Sequence, residues 1–474
     1  MEMQTKLKNN IIYNICYQIL SLIVPLITAP YISRVLGKDG MGLYSYTFSI
    51  AHYFVLFCML GILNYGNREI AMIDDVQKKS EKFWQIYYNQ LMFGIVALVA
   101  YFIFVNFFVQ QDGLVYALQA LYIVSGIIDI SWFYFGIEKF KTTTSISAIN
   151  KLITTGLIFL LVKSSSDIWI YTLIVASGVL MNNIVYWLCL PKYIVKVHIN
   201  FVDVISNLRP LILLFIPVIA INVYKYIDKI MLGSMVNVGD VGIFDAAEKL
   251  TNIPMGFITA IGTVMLPRIS NLLSSNNVAD VRRYNYLSLN LVMFLSLGMC
   301  FGLMGISDVF IPLFYGEAFG GSIAVLYYLA PCMIFVSWAN VIRTQYLLPH
   351  KKDVLFCVSV ICGAILNVIS NIILIPRFGA IGAAVSTLVA EVTVCVFQSI
   401  VANKTMLLYK PVFKIVPYLL SGIFMYFVIS NIEVGSVFLN VVVRLIIGCI
   451  IYVLLSIFYL KKQVKVLSIK HEIK

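Results

Sequence analysis

Charge is what this chain of 474 residues has least of: Asp, Glu, Lys and Arg make up 12% of it, against 61% hydrophobic residues. A soluble domain covers an apolar core with a charged exterior, and this composition leaves too little of that exterior. Histidine is scarce as well, with His52, His198, His350 and His471 scattered and outside any partner motif. The nine cysteines (Cys16, Cys58, Cys189, Cys300, Cys332, Cys357, Cys362, Cys395 and Cys449) form no CxxC pair and fall in apolar segments. They read as small packing residues rather than metal ligands or a disulfide framework. Long polar connections are missing too, the longest, around 66–83, 191–210 and 266–285, being about 20 residues each. Any chemistry must therefore lie within a membrane or at its surface, and an enzyme with a large catalytic loop or soluble domain is disfavoured.

What the chain has instead is apolar length, with a mean hydropathy of +0.93. A helix crosses about 30 Å of hydrocarbon with roughly 20 apolar residues, because its backbone groups are satisfied internally. Fourteen segments meet that standard: 11–33, 41–63, 84–109, 114–136, 144–162, 168–190, 211–235, 241–265, 286–314, 322–347, 354–376, 380–402, 412–431 and 437–460. The fold class expected is an all-α polytopic membrane protein. No A-x-A-like cleavage site follows the first apolar stretch, so the first helix is expected to remain as an uncleaved anchor.

Basic residues orient the spans, since Lys and Arg are retained on the cytoplasmic side. With both termini cytoplasmic, 24 of the 34 fall in cytoplasmic segments, counting Lys414 at the cytoplasmic mouth of the thirteenth span, and only Arg34, Lys38, Lys163 and Arg377 in external loops. The net charge of +12 is then topogenic, attracting anionic lipid headgroups, and makes no case for nucleic acid. The expected location is the cytoplasmic membrane.

An internal repeat organises these spans. "YISRVLGKDGMGLYSY" (31–46) ends the first helix and begins the second, and "YIDKIMLGSMVNVGDVGIFDA" (226–246) ends the seventh and begins the eighth. Each reads Tyr-Ile, a variable residue, a cation, Leu-Gly, a short loop, then Gly with an apolar and an aromatic residue, so Arg34 falls opposite Lys229. A second correspondence joins two basic turns, "FGIEKFK" (135–141) and "LLPHKKD" (347–353). The halves are expected to be two six-helix lobes, residues 1–200 and 201–403, with helices thirteen and fourteen and a basic tail (404–474) appended. Parallel lobes of this kind suit alternating access around a central cavity.

The same residues carry a family resemblance. "ITAPYISRVLGKDGMGLYSYTFSI" (27–50), the "GNREIA" turn (66–71), "WFYFGIEKFK" (132–141) and "NVYKYIDKIMLG" (222–233) together resemble the Wzx-type polysaccharide flippases of the MOP superfamily, related to MATE drug exporters and the lipid II flippase. The resemblance covers essentially the whole chain. It implies a non-enzymatic transporter that moves an undecaprenyl-pyrophosphate-linked oligosaccharide across the bilayer, with a polysaccharide polymerase and glycosyltransferases as partners. It also implies a cationic cavity, no cofactor, and an H+ or Na+ gradient as the coupling ion. An antiporter of small cationic drugs on the same scaffold is the alternative, to which an acidic pocket would be better suited.

Charges inside the spans are the candidate site, because each is costly in hydrocarbon unless paired or hydrated. Lys225 lies roughly 21 Å and Lys229 roughly 27 Å along the seventh helix at about 1.5 Å per residue. Asp245, Glu248 and Lys249 return to overlapping depths on the eighth. With Asp228 they give three cations facing three anions, either a self-neutralising network or groups open to substrate and ion. Asp129 and Lys151 sit level in an antiparallel hairpin and are expected to pair, either as a structural ion pair or facing the cavity. Glu391 stands near the midplane with no base on its own span, and is expected to be either a proton or cation relay or a hydrogen-bonded protonated acid with no transport role. Arg34 and Arg343 near helix ends either snorkel or bind phosphate. The diphosphate and glycan candidates are thus Arg34, Lys151, Lys225, Lys229, Lys249 and Arg343. The ion-coupling or charge-network candidates are Asp129, Asp228, Asp245, Glu248 and Glu391. Arg444, on the appended pair, is expected to serve packing or headgroup contact. Prolines 25, 30, 217, 254, 312 and 331 interrupt spans and permit bends.

Overall fold

A computed structural model describes the backbone of residues 2–472, and side chains within 20–461 except at 22, 216, 217, 220, 221, 223, 224, 404 and 409–413. Cys16 and Pro217 fall outside those side chains. The chain forms two compact units, Met1–Tyr226 and Ile227–Lys474. Among the described residues every regular element is helical. Ten helical stretches among the described residues are long and apolar enough to cross a membrane. Two of them, Ile23–Ala71 and Asp353–Asn403, have 49 and 51 residues, more than twice one crossing.

The first unit contains α1 (Glu2–Met59), α2 (Ile62–Ala71), α3 (Val76–Phe108), α4 (Gly113–Ile127), α5 (Ser131–Gly136), α6 (Phe140–Leu161), α7 (Ile168–Cys189), α8 (Phe201–Ser206) and most of α9 (Leu208–Met235). The second contains the end of α9, then α10 (Val238–Ser274), α11 (Val278–Tyr315), α12 (Gly321–Leu329), α13 (Cys332–Ile342), α14 (Asp353–Met406), α15 (Tyr409–Ser430) and α16 (Val437–Glu472).

The expected loop between the first two spans is a sharp bend inside α1, where Gly37 takes φ 68° and ψ −177°. A Cβ is disfavoured at positive φ, so glycine lets the chain turn there without a loop. The eleventh and twelfth spans join in the same way inside α14, at Gly379 with φ 54°. A Cβ at Gly379 would lie 2.3 Å from Asp240 Oδ2, the atom that accepts a hydrogen bond from the Ala380 N–H at 3.3 Å.

The "GNREIA" segment is a helix, α2, rather than the turn expected. Its reason is packing. A Cβ at Gly66 would come within 2.4 Å of the Trp132 ring, and one at Gly136 within 2.7 Å of Ile70, so two glycines let α2 and α5 meet. Trp132, Phe133, Tyr134, Phe83 and Ile86 are buried around that contact, and Trp132 Nε1 donates to Gln90 Oε1 at 3.1 Å. Van der Waals contact of this sort, rather than water expulsion, holds helices together in lipid. Two of the motifs behind the family resemblance therefore form one packed junction.

The two basic turns of the repeat close alike. Glu138 (φ 57°) and Lys351 (φ 56°) both adopt the left-handed conformation. Glu138 N–H donates to Phe135 O and Lys139 N–H to Tyr134 O, while Lys351 N–H donates to Leu348 O and Lys352 N–H to Leu347 O. That pattern is a helix C-terminal cap used twice. The other repeat pair differs, because the first copy bends at Gly37 whereas Gly233 stays helical and the chain turns at the Asn237 N-cap instead. The second copy has nine residues from Gly233 to Gly242 where the first has five from Gly37 to Gly42, one helical turn more.

Of the bends expected at proline, Pro331 separates α12 from α13, while Pro25, Pro30, Pro254 and Pro312 lie within continuous helices.

Candidate functional site

The second unit gathers a polar cluster where the end of α9 meets α10 and α14. Asp228, Lys229 and Asp245 are all buried. Lys229 Nζ lies 2.6 Å from Asp245 Oδ1 and 2.7 Å from Glu248 Oε2, and Lys249 Nζ lies 2.6 Å from Asp245 Oδ2. Positions 245, 248 and 249 follow helical spacing, so one face of α10 presents both acids and a base to α9. Two lysines and two carboxylates neutralise one another there, which offsets the cost of burying charge.

Asp228, the neighbour of Lys229 in sequence, is held differently. Asn371 Nδ2 donates to its Oδ1 and the Thr387 hydroxyl to its Oδ2, each at 2.6 Å. Asn371 Nδ2 also approaches Asn367 Oδ1 at 3.2 Å. Successive residues of α9 face different sides, so Lys229 points to the acids of α10 while Asp228 points to the two halves of α14. The Asp228 carboxylate is thus solvated by neutral groups, and Asn371 Oδ1 is buried without a hydrogen-bond partner. Glu391 lies one turn beyond Thr387 on α14 and is half-buried.

The network of three cations and three anions is accordingly smaller than expected. Lys229, Lys249, Asp245 and Glu248 belong to it; Lys225 and Asp228 do not. Lys225, in the first unit, is exposed and makes no salt bridge among the described residues, and its ammonium lies 5.9 Å from the Tyr226 ring centroid.

The expected Asp129–Lys151 pair is absent, and the helices explain why. Asp129 occupies the break between α4 and α5, where its Oδ1 accepts the Ser131 N–H at 2.8 Å and its backbone oxygen accepts Gln90 Nε2. Its carboxylate is spent on starting α5, a local role common for Asp. Lys151 is half-buried on α6, its carbonyl accepting the hydroxyls of Thr154 and Thr155.

The arginines sort by depth. Arg34 is exposed and donates to Pro30 O at 2.9 Å. Arg343 opens the π-helical turn Arg343–Leu347, donates to Asn340 Oδ1 at 2.9 Å and lies over the Phe356 ring at 5.7 Å. Arg444 is 2% exposed and bonded on several sides, to Asp308 at 2.8 and 3.0 Å, to Gly305 O, Ile432 O and Asn440 Oδ1. It ties α16 to α11.

Sequence reasoning missed Asp308, although it lies within a predicted span, and it missed Asn367, Asn371 and Thr387. Asp308 could have been found by listing every acid in the ninth segment. The amides and hydroxyl carry no charge to mark them, and their relation to Asp228 exists only in three dimensions.

Residues 7–273 match the family described as "Polysaccharide biosynthesis protein". An Escherichia coli (strain K12) protein whose name connects it with O-antigen transport is 25% identical over 393 residues, covering 81% of this chain and 94% of that protein. The lipid II flippase MurJ, in an inward closed conformation, superposes with a TM-score of 0.74 at 16% identity, over 95% of this chain and 99% of that one. An inward-facing multidrug resistance MATE family transporter of the MOP superfamily gives 0.61 at 12% identity, over 82% and 95%. The fold is the MurJ- and MATE-like helical membrane fold that the resemblance implied.

Proposed function

The chain belongs to the polysaccharide biosynthesis protein family, and from that premise we propose that it is a flippase for lipid-linked oligosaccharides. In this reading it carries an undecaprenyl-pyrophosphate-linked repeat unit from the cytoplasmic to the external leaflet by alternating access, and no bond is made or broken. Membership of the family, with relatives named for O-antigen and glycan translocation, supports this substrate class over small cationic drugs.

The observation that carries the substrate reading is Lys225. It lies deep in the seventh predicted span, exposed, with no carboxylate in salt-bridge range among the described residues. A bare ammonium at that depth needs water or an anion, and a pyrophosphate supplies the anion. Lys229 and Lys249 already have carboxylates, so Lys225 is the cation we assign to the pyrophosphate first. Arg34 and Arg343 remain further candidates by chemistry.

For coupling we propose Asp228, with Glu391 as its neighbour on α14. Asp245 and Glu248 are paired with lysines, and the Asp129 carboxylate is engaged by the Ser131 backbone N–H. The Asp228 carboxylate, held by N–H and O–H donors, would take a proton directly; with the Asn371 and Asn367 amides turned to present oxygen beside it and the Thr387 hydroxyl oxygen, it would offer the hard-oxygen ligands that suit Na+. The unpartnered Asn371 Oδ1 fits the same use. These residues would hold the ion, which supplies positive charge that binds or releases with the gradient.

The test is deletion of the gene in its host. Lipid-linked repeat units should accumulate on the cytoplasmic leaflet and surface polysaccharide should fall; an unchanged lipid-linked pool with intact polysaccharide sinks the proposal. Complementation with Lys225→Ala and Glu391→Gln then tests the site, and full activity in both removes those assignments.

A further inference from the structure

The first unit carries a run of aromatic rings for which packing alone gives no reason to be so polar. Tyr44, Phe48 and His52 recur every fourth residue on the second half of α1 and so share one face. Tyr122 of α4, Tyr171 of α7 and Tyr226 of α9 complete the set. The ring centroids of Tyr44 and Phe48 are 6.0 Å apart at 11°, those of Phe48 and Tyr122 4.9 Å, Tyr44 and Tyr171 4.9 Å, and His52 and Tyr226 4.3 Å. The hydroxyls of Tyr44 and Tyr122 are 2.8 Å apart. All six side chains are half-buried, so their rings are neither core nor fully exposed.

This face differs from the lipid-exposed surfaces of the same unit, where Ile95, Val96 and Val99 of α3 are 50–62% exposed and aliphatic. Here the rings bear hydroxyls and an imidazole, and the run ends beside the exposed Lys225. An exposed ammonium is not tolerated against hydrocarbon, which makes this a hydrated face. Half-exposed rings with polar edges in a hydrated setting match one ligand chemistry well: a sugar, whose C–H face rests on the electron-rich ring face while its hydroxyls bond to the edges.

We propose that this aromatic run, on α1, α4, α7 and α9, is the glycan subsite, with Lys225 at its end receiving the pyrophosphate. The inference rests on the flippase reading and adds to it where the sugar lies. Rings tolerate many sugars because each pyranose offers a C–H face, so the subsite reads shape and stacking more than sugar identity. The polyprenyl chain has no part in it.

The experiment uses the purified full-length protein in nanodiscs and three probes. These are the lipid-linked repeat units extracted from cells lacking the gene, the free glycan released from that material by mild acid, and undecaprenyl pyrophosphate bearing no sugar. Phe48→Leu and Tyr226→Leu keep apolar bulk without a ring and should weaken binding of the first two probes at least five-fold while leaving the sugar-free lipid unchanged. Phe48→Trp should retain glycan binding, which a purely structural role for ring shape would not allow. Lys225→Ala should weaken both lipids and spare the free glycan. Equal affinity of the Leu variants and the unaltered protein for the glycan-bearing lipid overturns the subsite and leaves the flippase reading standing. Failure of the unaltered protein to bind the glycan-bearing lipid overturns the reading itself. Should the variants not fold, the unaltered protein still decides: free glycan should slow diethyl pyrocarbonate modification of His52 several-fold, and an unchanged rate overturns the subsite.

Discussion

Lys229 touches two carboxylates, one of them almost fully buried, and that contact sets what its loss would do. Lys229→Ala leaves Asp245 with Lys249 and Glu248 with no ion pair among the described residues, and breaking a buried pair costs about 3–5 kcal/mol. The expected result is a large drop in thermal stability, read by the melting midpoint in detergent, with part of it restored when Asp245→Asn is added. A variant that stays as stable as the parent yet loses transport would instead make Lys229 a substrate contact. Asp228 behaves differently because its partners are neutral. Asp228→Asn replaces one hydrogen-bonding group by another among Asn371 and Thr387, so folding should persist while dependence on an imposed H+ or Na+ gradient disappears in proteoliposomes. Retention of gradient-driven transport by Asp228→Asn counts against the coupling assignment.

Elements are joined here by means that the linear sequence shows only faintly. Gly37 and Gly379 both bend long helices at positive φ, but their surroundings differ: a Cβ at Gly37 meets nothing within 4 Å, whereas at Gly379 it meets Asp240. Gly37→Ala should therefore cost only the backbone term, about 1 kcal/mol, and Gly379→Ala clearly more. Pairing Gly379→Ala with Asp240→Ala should recover the steric part, as read by melting midpoints of the four proteins. The C-terminal hairpin offers another element-scale test. Arg444 on α16 holds Asp308 of α11 and the Ile432 carbonyl that follows α15, so Arg444→Met should destabilise docking by roughly 2 kcal/mol, in the range of hydrogen bonds to charged groups. Arg444→Lys should restore little, since one ammonium cannot reproduce a planar fork reaching several acceptors. Faster proteolysis within the 431–436 connection reports the loss; an unchanged cleavage rate in Arg444→Met would show that helix packing alone docks α16.

At the scale of the whole molecule, the composition and the helices agree on a protein that lives in the bilayer, and the two units each carry part of the proposed work. The first holds Lys225 and the aromatic run; the second holds the neutralised lysines and the carboxylate set among amides. Division of this kind suits a transporter in which substrate binding and ion binding use different residues, so they can be separated by mutation. A Lys225→Ala, Asp228→Asn double variant measured for binding of lipid-linked repeat units should resemble Lys225→Ala alone if Asp228 serves coupling, as proposed. Additional loss of affinity in the double variant would place Asp228 in the substrate site as well.

The sequence by itself determined the solvent, the helical class and most of the spans, because apolar length and backbone satisfaction in lipid leave a chain few alternatives. The repeated basic turns were legible for the same local reason, since a left-handed cap is written in a few adjacent residues. Tertiary structure alone decided which charges pair. Asp129 and Lys151 looked level on a helical ruler, but Asp129 is consumed at a helix break that periodicity does not register. Asp228 bonds to residues 143 and 159 positions away, and those partners are uncharged, so nothing in the local pattern announced them. Side-chain direction on a helix depends on which neighbours it packs against, and that is settled only when distant segments meet.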